Sequence, residues 1–122
     1  MQEQWKACEG HSNYEISNMG NVRNVKTGRT LKPWKSGNGY LKVNLENKSI
    51  FAVHRLVATA FCPQGHDQSV VDHINRNRQD NRACNLEWVT YAENTRRWQE
   101  DEEMKKLIQH YLDVASGDNI PY

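Results

Sequence analysis

The sequence predicts an α+β fold: a small β-rich amino-terminal module, a hairpin and short helix, a strand–loop–strand–helix motif, and a carboxy-terminal helix. Three observations predict it. Tyr40 to Leu45 alternate apolar and polar side chains, the two-residue period of a half-buried strand. Val53, Leu56, Val57, Ala60 and Phe61 fall at i, i+3, i+4, i+7 and i+8, the one-sided stripe of a short amphipathic helix. Between Ser69 and Asn94, a β-branched run enters a polar loop and returns through Leu86-Glu87-Trp88-Val89 into Thr90-x-x-Glu93, a capping-box pattern.

Each element follows from its residues. In residues 5 to 33, Trp5-Lys6, Tyr14 to Arg23 and Gly28 to Pro33 read as short β segments, separated by Ser-Asn-x-Gly and Thr-Gly turns. Residues 39 to 53 read as a hairpin turning at Glu46-Asn47-Lys48 and returning through Ser49 to Val53. The helix over 53 to 61 is ended by Pro63 and Gly65. Ser69-Val70-Val71 leads a strand into Asp72-His73, and Thr90 caps the next helix. Met104, Leu107, Ile108, Tyr111 and Leu112 repeat the helical stripe, so residues 101 to 115 form a helix whose apolar face packs on the body or on a second copy. Trp5, Tyr14, Leu31 and Trp88 read as core. The chain thus divides into 1–38, 39–100 (the motif at about 68–98) and an acidic helix and tail at 101–122.

The chemistry concentrates in Val71 to Asn94. Adjacent strand residues face opposite sides, so Asp72 and His73 serve one site only where the strand ends. Asp72 offers hard oxygens suited to magnesium, calcium or manganese. His73, as an imidazole, is the natural group to take a proton from water. Asn85 can bond backbone across the hairpin and also the imidazole, where it would fix which nitrogen of His73 is free. Asn94, one turn into the capped helix, can complete the metal's protein ligands. In the loop, Arg76, Arg78 and Arg82 present guanidinium forks suited to phosphate, the alternative being structural pairing with Asp80 or Glu87. Asp80 and Asn81 shape the loop through side-chain-to-backbone bonds. His54 reads as a helix histidine bonded to the body or placed near phosphate, and His11, His66 and His110 as surface residues.

The pattern Asp-His, then Asn-Arg-x-Asp-Asn-Arg-x-x-Asn-Leu-Glu-Trp-Val-Thr, then Glu-Asn, resembles the HNH endonucleases of the ββα-metal type. The amino-terminal elements Tyr-x-x-Ser-Asn-x-Gly-x-Val-Arg and Gly-Arg-x-Leu-Lys resemble the small NUMOD-like module preceding that motif in phage and intron-type homing endonucleases. The resemblance covers roughly residues 5 to 96, including Val53-His54-Arg55-Leu56-Val57-Ala58. It implies His73 as general base, Asn85 as the central Asn, and Asp72 and Asn94 as metal ligands. Many members carry His at the final position; Asn there, with Asp72 first, favours one hard-oxygen ion, magnesium or manganese, over zinc. The implied module would hold DNA through Arg23, Lys26, Arg29, Lys32 and Lys35.

Composition bounds the rest. A chain of 122 residues makes one compact domain, or a small domain with appendages. No run of 18 apolar residues and no signal-peptide start occur, so the expected location is cytoplasmic, that of the host cell if phage-encoded. Cys8, Cys62 and Cys84 are odd in number and widely spaced, which points to reduced thiols. The net charge of +1 hides an asymmetry: residues 1 to 98 carry +5 and residues 99 to 122 carry −4. A basic body with an acidic tail suits double-stranded DNA as partner, and the helix stripe suits a homodimer. The function read from the sequence is a metal-dependent DNA endonuclease of phage or homing type that nicks one strand per site. The alternatives are a catalytically silent DNA-binding protein and an accessory nuclease that needs a partner in a phage complex. Nothing resembles an RNA-binding sheet with exposed aromatics.

Overall fold

The computed structural model describes residues 2–46 and 49–116. The turn expected at Glu46-Asn47-Lys48 and the end of the tail lie partly outside them. Two compact units result, Met1–Val89 and Thr90–Tyr122.

In the first unit, β1 (Trp5–Cys8), β2 (His11–Ser17) and β3 (Val22–Asn24) form an antiparallel sheet in that order. A second antiparallel sheet follows, with β4 (Trp34–Lys35), β5 (Leu41–Asn44) and β6 (Ile50–Ala52). Its β4–β5 pairing carries one sheet across the boundary expected at residue 38. The chain runs from β6 directly into α1 (Val53–Phe61), as the stripe predicts. β7 (Val70–His73) and β8 (Leu86–Val89) make a two-stranded ribbon in which Asp72 faces Glu87 and His73 faces Leu86. A single 3₁₀ turn, Ala83–Asn85, leads into β8.

One core joins these pieces. Ile16 and Val22 from the first sheet, Val43 from the second, Val53 and Val57 from α1, and Leu86 and Trp88 from the ribbon pack together. Trp88 is 3% exposed and its indole N–H donates to the Ala58 carbonyl at 3.1 Å, which satisfies the polar end of a buried ring. Tyr14 is core and Leu31 packs against it, as expected. Trp5 instead lies under the Arg23 guanidinium, 3.9 Å from its ring centroid. His11 is not a surface turn residue: it opens β2, half-buried, edge-on to Phe51 at 4.8 Å. All three cysteines are free thiols.

The second unit is built on one helix, α2 (Tyr91–Ser116), where the sequence suggested two segments. No Gly or Pro interrupts residues 91 to 116, so nothing breaks the helix once Thr90 starts it. The Glu93 N–H donates to Thr90 Oγ1, and the Thr90 hydroxyl donates to Glu93 Oε1, both at 3.1 Å. Arg96–Glu100 and Lys105–Glu102 pairs line its surface. The stripe of Met104, Leu107, Ile108, Tyr111 and Leu112 is exposed, each residue by more than half. No helix among the described residues is long and apolar enough to cross a membrane.

Candidate active site

β7 ends at His73 and the polar loop begins at once, so Asp72 and His73 stand at the strand's exit. The loop then folds on its own side chains. Asn75 Oδ1 accepts the Asn77 N–H at 2.9 Å, Asn77 Oδ1 accepts the Gln79 N–H at 3.0 Å, and Asn75 Nδ2 donates to Asp80 Oδ2 at 2.9 Å. Such local bonds replace the ladder that the backbone has left. Arg76 takes a left-handed φ of 66° as its N–H turns back to the His73 carbonyl at 3.0 Å.

His73 is 4% exposed, and its Nε2 lies 2.8 Å from Asn81 Oδ1. This corrects the expectation for Asn85. That side chain, 5% exposed, accepts the Asn75 N–H at 3.0 Å and donates to Asn75 Oδ1 and to the Asp80 carbonyl, each at 2.9 Å. With three hydrogen bonds to Asn75 and Asp80, its amide closes the loop's two ends. Asn81, read from sequence as a loop former, holds the imidazole.

The rest of the His73 surround comes from distant chain. Tyr40, at the foot of β5, stacks on His54 of α1 with ring centroids 4.8 Å apart, and the two lie 5.9 and 5.1 Å from the His73 ring. His54, half-buried, thus meets the body through its ring rather than through a hydrogen bond from Nδ1. Its Nδ1 is buried without a hydrogen-bond partner, and burial, with the neighbouring His73 second, pushes its pKa down to about 4. His54 therefore stays neutral at physiological pH. Nothing local in the sequence reveals this cluster; the only signal was His54 lying within the family-like Val53 to Ala58 element.

The arginines are divided in use. Arg76 Nη1 sits 3.1 and 3.3 Å from the two Asp72 oxygens and also donates to the His73 carbonyl at 3.0 Å. Arg78 donates to the Asn38 carbonyl at 2.5 Å and lies over Tyr40 at 4.8 Å. Arg82 makes two 2.8 Å bonds to Asp80, the structural pairing weighed from sequence, and Asp80 is held down at about 2 chiefly by that bond. Arg23 is likewise bound, to Glu15 at 2.8 and 2.9 Å. Any phosphate contact by these arginines would compete with the intramolecular partners they already hold. Lys26, Arg29, Lys32 and Lys35 are exposed. Asn94 belongs to the second unit, half-buried on the first turn of α2, its N–H on the Thr90 carbonyl at 3.0 Å.

The chain is similar to known proteins along most of its length. Residues 3–46 match the NUMOD4 motif and residues 51–96 match HNH endonuclease. An uncharacterised HNH endonuclease of Acanthamoeba polyphaga mimivirus is 45% identical over 100 residues, which is 75% of this chain and 25% of that protein. The DNA endonuclease I-HmuI of Bacillus phage SP01 is 40% identical over 91 residues, 71% of this chain and 52% of that one. A solved structure of DNA binding and cleavage by the HNH homing endonuclease I-HmuI superposes with a TM-score of 0.72 at 32% identity, over 87% of this chain and 66% of that chain. The chain thus spans about half the length of one of these curated relatives and a quarter of the other.

Proposed function

The chain belongs to the HNH endonuclease family, with a NUMOD4 motif ahead of its nuclease module, and on that premise we propose that it is a metal-dependent DNA endonuclease that nicks duplex DNA. The observation that carries the reading is a buried imidazole, His73, fixed at the end of the strand that also carries Asp72, at the root of an arginine-bearing loop. His73 takes the proton from a water that attacks the scissile phosphorus in line. Asn85 acts one step back, closing the loop that carries the base.

As the family resemblance implies, we propose Asp72 and Asn94 as ligands of a divalent ion, magnesium or manganese. The donor chemistry fits: the Asp72 oxygens are already directed at a cationic group, the Arg76 guanidinium. Among the described residues no group of three or more His, Cys, Asp or Glu comes together. A short protein donor set suits an ion that keeps waters and substrate oxygens as its other ligands. When bound, such an ion supplies charge stabilisation to the phosphate and the departing 3′ oxygen. Products carry 5′ phosphate and 3′ hydroxyl, as the family resemblance implies. We assign the protein to the cytoplasm, where it meets DNA.

A supercoiled-plasmid assay comparing the wild type with His73→Ala, each in magnesium, manganese or EDTA, tests this. Relaxed circles that need metal and fall by about 100-fold or more in the variant are expected. Binding without cleavage by the wild type in every metal would instead favour a silent DNA-binding protein, and cleavage only on adding a phage partner would favour an accessory nuclease.

A further inference from the structure

We infer that Asn81 is the positioning residue that selects which nitrogen of His73 accepts the proton, and that the turn at residues 17–21 of the amino-terminal sheet keeps it in place. The catalytic half of this inference rests on the nuclease reading above; the structural half does not.

An amide oxygen carries no hydrogen and can only accept. With Asn81 Oδ1 at 2.8 Å, His73 Nε2 must be the protonated nitrogen of the neutral ring, and Nδ1 keeps the lone pair. Both residues are buried, at 4% and 5% exposure for His73 and Asn81, which shields their mutual bond from competing solvent. Among the described residues, Tyr40 and His54 also meet the ring, through their own rings. Asn85 is spent on Asn75 and Asp80. The tautomer is therefore set by one oxygen of one loop residue.

That oxygen is fixed from outside the loop. The Ala83 N–H donates to the Asn18 carbonyl at 2.8 Å. Gly20, at φ +90°, lies against the Asn81 backbone so closely that an added Cβ would stand 3.1 Å from its carbonyl oxygen and 3.3 Å from its Cβ. Ser17, fully buried, accepts the N–H groups of Met19 and Asn21 at 3.2 and 3.0 Å and so keeps the turn in shape. The amino-terminal module thus reaches the base through Asn81, besides any contact it makes with DNA.

The test is ¹⁵N NMR of the imidazole nitrogens in the full chain, without DNA or metal, at a pH where His73 is neutral. Wild-type His73 is expected to be protonated at Nε2. Asn81→Asp, which offers only accepting oxygens, should keep that form. Asn81→Leu, of similar shape with no acceptor, should lose it and give a mixture of tautomers, as should Gly20→Ala in smaller degree. In plasmid cleavage Asn81→Leu should lose about tenfold or more in turnover with KM unmoved. A wild-type ring protonated at Nδ1, an Asp variant that switches to Nδ1, or a folded Leu variant with tautomer and turnover unchanged would each overturn the inference. A protein that shows the expected tautomers but cuts no DNA would sink the nuclease reading alone.

Discussion

At the scale of single residues, the site depends on side-chain amides more than on charges. Asn85 illustrates how far sequence carries. Its importance was legible from its place before the return strand, but its partner was not, because the loop's course decides whether its amide meets the ring or the loop. Asn85→Ala should therefore cost stability as well as activity, about 1–3 kcal/mol for buried groups left unpaired, read from chemical denaturation. His54 gives a pH signature. Its folded pKa of about 4 lies below the ordinary value of 6.5, so between those values the unfolded chain binds more protons than the folded one. Stability is then complete above about pH 6.5 and falls as pH drops toward 4, by up to about 3 kcal/mol. His54→Phe, which keeps a ring in the stack, should flatten that slope in melts run from pH 4 to 8.

At the scale of elements, the helices and the ribbon were the readable parts. Val53 to Phe61 shows its helix as a stripe, and Thr90 with Glu93 marks the next start, because both signals are local. In the two small amino-terminal sheets the β5–β6 hairpin was readable as a pairing and the remaining strands only as β segments, since their order follows from pairing between more distant residues. The continuity of α2 was missed because a polar stretch carries no apolar period, although it also contains no helix breaker. The turn at Gly20 is where one element presses on another. Gly20→Ala combines a left-handed φ with a contact at 3.1 Å on Asn81, so it should destabilise by about 1–2 kcal/mol or more and slow cleavage. The result to watch in a calorimetric scan is a lowered Tm; an unchanged Tm would mean that the turn yields freely.

At the scale of the whole molecule, the basic residues before position 98 and the acidic stretch after it would set how the proposed DNA binding responds to salt. Lys26, Arg29, Lys32 and Lys35 are exposed, whereas Arg23 and Arg82 are held by carboxylates. Affinity should fall linearly with log salt, and each phosphate-contacting lysine replaced by Gln should reduce the slope by about one. Arg82→Gln should change the slope least, because breaking its pair exposes Asp80 in exchange; fluorescence anisotropy across a salt series separates the two classes. On the proposed reading one site per chain cuts one strand, so two chains, or two visits, would be needed to cut both. If two copies pair, the exposed stripe of α2 is where the apolar area lies, and sedimentation of the wild type against Leu107→Glu would detect it. Finally, the Asn18–Ala83 hydrogen bond bears on how such proteins can be recombined. Two stretches that match separate motifs fold here around a shared core, and the nuclease loop leans on a turn some sixty residues earlier. A graft carrying residues 51–96 alone would bring the reacting groups without their brace, so shuffling of these modules should succeed only when the turn and the loop travel together.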